Sequence, residues 1–204
     1  GVEGNAGRAG DPASYYEPLD DGASVGNDPE SDPMPGTINA MIFINRELTP
    51  GAMVTAVITA TEAKTAALQE LEVTSRYSEG LATGTGTDQM AVASKLGGKA
   101  ICFAGKHSKV GELIGRTMHD AVLKTLALQN RLTSASQCSS LAHLERFGID
   151  EQEMCRKIAE RLSGDDVALF QKNFANVIKD PITVAAVAAL VHLRDKFLWG
   201  TLPR

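Results

Sequence analysis

Gly84-Thr-Gly-Thr-Asp88 has the composition of a loop that aims backbone N–H groups at an oxygen: its glycines permit a tight turn and a carboxylate closes it. Such a loop serves as an anion nest or an oxyanion hole. It serves equally as a plain turn capped by Asp88, the commoner use of these residue types. It is neither GxGxxG nor a P-loop, because no Gly-Lys-Ser/Thr follows. A second cluster is Gly105-Lys-His-Ser-Lys-Val-Gly-Glu112. Ser108 is placed there to cap a helix whose first turn favours an anion or a developing oxyanion, and Lys106, His107 and Glu112 surround that mouth. His107 is of the residue type suited to general acid or base work near neutral pH, although Lys106 and His107 also read as solvated loop residues. Thr55, Thr59 and Glu62 share one helix face at spacings of four and three. Glu62 is either an ordinary exposed carboxylate, the commoner case, or one kept for chemistry. Thr85 and Thr87 are candidate nucleophiles, which need an adjacent base.

Other chemistries find less support. His107, His119, His143 and His192 lack HExxH or i, i+4 pairing, and Cys102, Cys138 and Cys155 form no CxxC, so no metal site is expected. GxSxG is absent. Ser75 and Ser78, beside Arg76 and Tyr77, could approach the glycine loop, but their spacing does not mark a nucleophile. A net charge of −5 argues against a phosphate-backbone partner, so nucleic acid is not expected. The longest apolar run, Val184 to Val191, falls far short of the roughly 20 residues that span a bilayer. An odd cysteine count fits a reducing, cytoplasmic compartment without a disulfide framework.

The elements that must position these residues follow from the periodicity. Residues 11–36 are rich in Asp, Pro, Gly and Ser and read as a long surface loop. Thr37–Ile44 reads as a strand buried on both faces. Thr49-Pro50 supplies a cap and a first-position proline for a helix reaching about Leu71, with Ala52, Ala56, Ala60, Ala63 and Ala67 allowing close packing. Gly80–Asp88 leads into a strand at Met90–Ser94, with Lys99–Phe103 as its expected hairpin partner across Gly97-Gly98. Ser108 to about Asn130 is an amphipathic helix with Val110, Leu113, Ile114, Met118, Ala121 and Val122 on its buried stripe. Helices are expected at Ser136–Arg146, Glu151–Leu162, Val167–Ile178 and Pro181–Trp199, the last opened by Asp180-Pro181. The fold class is therefore α/β: a mixed sheet flanked by helices, with an all-helical C-terminal region. Residues 1–132 form the core and 133–204 a helical extension.

The clusters occur in an order that resembles the adenosylcobinamide amidohydrolase family. The resemblance rests on Ala56-Val-Ile-Thr-Ala-Thr-Glu-Ala-Lys-Thr-Ala-Ala-Leu68, Gly84-Thr-Gly-Thr-Asp88 and Gly105 to Gly115, joined by Gly36-Thr-Ile-Asn39, Gly1-Val-Glu-Gly-Asn5 and Ala9-Gly-Asp-Pro12. It implies hydrolysis of the amide joining aminopropanol to the corrin propionate, giving adenosylcobyric acid and 1-amino-2-propanol, in corrinoid salvage for cobalamin biosynthesis. The adenosylcorrinoid is then the substrate, and no resident cofactor is expected. It also implies an upstream segment before Gly1, so a homo-oligomer or association with such a segment is expected.

Catalytic roles come from residue chemistry. Gly84, Thr85, Gly86, Thr87 and the helix start at Ser108 offer N–H donors to the tetrahedral oxygen. His107 serves as general base and acid, Asp88 or Glu112 orients it, and Glu62 is the reserve base. Lys106 and Asn39 join the substrate contacts. An inactive corrinoid-binding protein and an amidohydrolase for another amide remain alternatives.

Overall fold

A computed structural model describes residues 2–13 and 36–203, so most of the expected 11–36 loop lies outside the described residues. Two compact units emerge, Gly1–Arg131 and Leu132–Arg204. The first unit runs α1 (Val2–Asn5), β1 (Ala6–Gly7), β2 (Asn39–Ile44), α2 (Pro50–Glu70), β3 (Gly84–Thr85), β4 (Gln89–Ser94) and α3 (Lys109–Asn130). Helices and small sheets thus alternate in it, followed by helices alone, which is the mixed α/β class expected.

β2 and β4 pair in parallel, from Asn39 opposite Gln89 to Ile44 opposite Ser94. Parallel neighbours need a crossover of a dozen or more residues, and α2 supplies it. This corrects the hairpin expected between Met90–Ser94 and Lys99–Phe103. Gly97 and Gly98 do adopt positive φ, of 88° and 133°, but Ile101 meets Leu48 in an isolated parallel bridge instead. Alternation of side chains is the same in both pairings, so local pattern cannot choose between them. β2 is also not buried on both faces. Its residues alternate between exposed and half-buried, with Met41 72% and Phe43 79% exposed. β1 pairs antiparallel with β3, so part of the expected 80–88 loop is a short strand.

Thr49 caps α2 as its sequence indicates, its side chain accepting from the Ala52 N–H at 3.3 Å. Ala52, Ala56, Ala60 and Ala67 are wholly buried, which lets α2 lie close to α3. On α3 the buried residues are Gly111, Ile114, Met118, Val122 and Leu126. Leu113 is 51% exposed, one step off the stripe expected for it. Gly111 is required by contact, since a Cβ there would stand 2.0 Å from the Gly105 carbonyl oxygen.

The second unit holds α4 (Ser140–Leu144), a 3₁₀ turn at Glu145–Phe147, α5 (Glu151–Ala159), α6 (Gly164–Val177) and α7 (Pro181–Leu198). The first of these begins at Ser140 rather than Ser136, because Ser136 exchanges hydrogen bonds with Thr133 and Ser139 provides the cap. Arg146 and Asp195 form a partly buried ion pair at 2.5 Å, and Asp180 caps α7 through the Thr183 N–H. Among the described residues no single helix is long and apolar enough to cross a membrane.

Candidate active site

The glycine-threonine loop is built around Asp88. One carboxylate oxygen accepts from the Thr85 N–H at 3.0 Å, the Thr85 hydroxyl at 2.5 Å and the Ile38 N–H at 3.3 Å. The other oxygen meets the ammonium of Lys64, whose side chain is only 7% exposed. Gly84 must be glycine here, because a Cβ would lie 2.2 Å from Asp88 Oδ2. Asp88 therefore ties a helix, a strand start and the loop together. None of its hydrogen bonds goes to His107.

Lys64 is a site residue that residue types and spacing alone did not mark. A signal existed nonetheless, since Lys64 falls on the stripe Ala56, Ala60, Lys64, Leu68 that α2 buries. A lysine on such a stripe needs a carboxylate to meet it.

The amino-terminal segment completes the loop's support. Asn5 is 7% exposed; its amide donates to the Gly36 carbonyl at 2.9 Å and its oxygen accepts from the Tyr77 hydroxyl at 2.8 Å. Asn5 also lends its backbone carbonyl to the Gly86 N–H at 3.3 Å. Asp11 accepts from the Ser75 hydroxyl at 2.5 Å and from the Arg8 N–H at 2.7 Å. Burial works to raise the Asp11 pKa, but hydrogen bonds from Ser75, Ser78 and the Arg8 N–H, with the nearby guanidinium, hold it below the ordinary carboxylate value. Ser75 is thus engaged as a structural donor. Thr37 and Thr87 clasp the loop from outside: the Thr37 hydroxyl donates to the Thr87 carbonyl at 2.6 Å and the Thr87 hydroxyl to the Gly36 carbonyl at 3.2 Å. With the Thr85 and Gly86 N–H groups taken, that of Thr87 has no partner among the described residues.

At the second cluster, Ser108 caps α3, accepting from the Gly111 N–H at 3.0 Å. The preceding N–H groups, of Lys109 and Val110, have no partner among the described residues and form an electropositive helix mouth. His107 is exposed beside that mouth and makes no side-chain hydrogen bond to a described residue. Glu112 does not orient it. Lys109 holds both Glu112 oxygens at 2.8 Å, and this hydrogen bond, with the Lys109 and Arg116 charges, keeps the Glu112 pKa low. Glu62 forms an exposed ion pair with Lys106, and Thr59 donates to the Ala104 carbonyl at 3.1 Å. α2 consequently touches both clusters, through Lys64 and Thr65 on one side and through Thr59 and Glu62 on the other. Asn39 is exposed at the start of β2. No group of three His, Cys, Asp or Glu side chains among the described residues is arranged to hold a metal ion.

The first unit thus holds a glycine loop locked by the Lys64–Asp88 ion pair and, where α2 meets the second cluster, an open helix mouth next to the exposed His107. The adenosylcobinamide amidohydrolase family profile matches residues 1–134, and the chain belongs to that family. It is 42% identical over 98 residues to an uncharacterised protein of Methanocaldococcus jannaschii, a match covering 48% of this chain and 38% of that protein. The match thus spans well under half of that relative's length. No solved structure matches the chain.

Proposed function

We propose that the protein hydrolyses the aminopropanol amide of adenosylcobinamide, releasing adenosylcobyric acid and 1-amino-2-propanol, as a cytoplasmic step of corrinoid salvage for cobalamin biosynthesis. Membership of a family named for this reaction, across residues 1–134, is the observation that carries the reading. The adenosylcorrinoid is the substrate, and no resident cofactor is invoked.

An unactivated amide needs a nucleophile, donors for the tetrahedral oxygen and a proton for the leaving amine. His107 takes a proton from water as the water oxygen bonds to the amide carbon. The unpaired N–H groups of Lys109 and Val110, with that of Thr87, are the available donors to the oxyanion. When the C–N bond breaks, the His107 imidazolium returns its proton to the amine nitrogen, so charge and atoms balance. Asp88 acts by holding the loop through Lys64 and Thr85. Glu62, paired with Lys106, is the reserve base, and Lys106, Ser108 and Asn39 are substrate contacts at its margin.

The test is aminopropanol release from adenosylcobinamide by the full chain and by its His107→Ala and Glu62→Gln variants. Loss of turnover in His107→Ala, with adenosylcobinamide still bound, is expected. Near-full turnover in His107→Ala would reject the base assignment. If Glu62→Gln alone abolished turnover, Glu62 would take its place. Turnover abolished by a chelator would contradict the metal-free scheme.

A further inference from the structure

We propose that the open cleft between β2 and α3 seats the corrin macrocycle, a deeper statement that rests on the reading above. The cleft encloses about 1080 Å³, bounded by residues 37–46 on one side and by α3 from Lys109 to Gln129 on the other. Small-molecule clefts typically enclose roughly 300–1,000 Å³, so this one suits a large ligand.

Its chemistry fits a corrinoid in two ways. Ile42, Ile44, Met118 and Val122 give it an apolar interior. Asn39, Asn45 and Gln129 are also among the residues that line it. A corrin ring has broad apolar faces and a fringe of primary amides, so it would bury the faces and pair the fringe. Thr117, Ala121 and Thr125 recur every fourth residue on the exposed, cleft-lining side of α3 and leave room for a flat body.

The cleft is also continuous with residues bonded to the proposed reacting groups. Thr37 and Ile38 line the cleft and are also bonded to the Thr87 carbonyl and the Asp88 carboxylate. Lys109 and Val110 line it as well, directly after His107 and Ser108. The helix mouth therefore borders the cleft directly, and the 84–88 loop adjoins it through Thr37 and Ile38. A macrocycle seated there would carry its amide-bearing side chains along that border.

The experiment measures adenosylcobinamide binding to the full chain by equilibrium dialysis, with Ala121→Trp to fill the cleft and Lys124→Trp as a bulky control on α3 outside it. Both changes are at exposed positions, and circular dichroism checks that the fold is kept. Ala121→Trp is expected to weaken binding about tenfold or more while Lys124→Trp leaves it unchanged. Equal binding by wild type and Ala121→Trp would overturn the cleft assignment and leave the amidohydrolase reading standing. No binding by wild type, together with no aminopropanol release, would overturn both. A wild-type dimer that Ala121→Trp dissociates, with corrinoid binding unaltered, would show that a second copy fills the cleft and would also overturn the proposal.

Discussion

Replacing Lys64 by methionine removes the ammonium that meets Asp88 while keeping the length of a side chain that is 7% exposed. Breaking one side of a buried ion pair costs about 3–5 kcal/mol, because the remaining charge loses its partner. Asp88 is 20% exposed and keeps its hydrogen bonds from Thr85 and Ile38, so Lys64→Met should fall at the lower end, about 3 kcal/mol. Asp88→Ala is the harsher change. It strands the buried ammonium and also releases the Thr85 N–H, the Thr85 hydroxyl and the Ile38 N–H, so about 5 kcal/mol is expected. The double variant should cost clearly less than the sum, with a coupling of about 1–3 kcal/mol. Urea unfolding followed by far-ultraviolet circular dichroism gives the energies. Amide exchange at Thr85 and Ile38 reports the loop itself, and both amides should lose protection in Asp88→Ala. Single-variant costs under about 1 kcal/mol that simply add would refute the claim that this pair locks the loop.

Further outcomes follow from the same geometry. His107→Ala should lower kcat for aminopropanol release by about 10²–10⁴ with little change in corrinoid binding or unfolding midpoint, checked by steady-state kinetics and thermal denaturation. Gly111→Ala should destabilise the first unit by about 1–3 kcal/mol or more, since its Cβ would press on the Gly105 carbonyl; a midpoint equal to wild type would count against that packing. Asp11 has a folded pKa held below its unfolded value, so it stabilises the fold above the unfolded value and that contribution is lost as pH falls through the folded one. Asp11→Asn should therefore lower stability at neutral pH and flatten the acid limb of the stability profile.

Elements governed by local chemistry were legible in the sequence. Thr49, Ser108 and Asp180 each cap the helix that their residue type and position announce, and proline opens two of those helices. What was not legible depended on partners far along the chain. Met90–Ser94 carries no local mark that its neighbour is Asn39–Ile44 rather than the nearer Lys99–Phe103, since pleat alternation is indifferent to strand direction. The short pairing of Ala6–Gly7 with Gly84–Thr85 is too brief to leave a pattern at all. At the site, the glycine loop and the helix mouth were recognisable from glycine, threonine and serine chemistry. The loop's anchor was not: Lys64 is distant in sequence from Asp88, and only its place on the alanine stripe hinted at burial. Asp88 or Glu112 was expected to steady His107, and the structure commits each to a lysine instead.

The central claim is tested most directly by incubating the full chain with adenosylcobinamide in ¹⁸O-labelled water and recovering the corrinoid for mass spectrometry. Hydrolysis of the aminopropanol amide predicts adenosylcobyric acid carrying one label in the freed carboxylate, with an equal amount of 1-amino-2-propanol. Recovery of the corrinoid with its amide intact, from protein shown to be folded, would contradict the account.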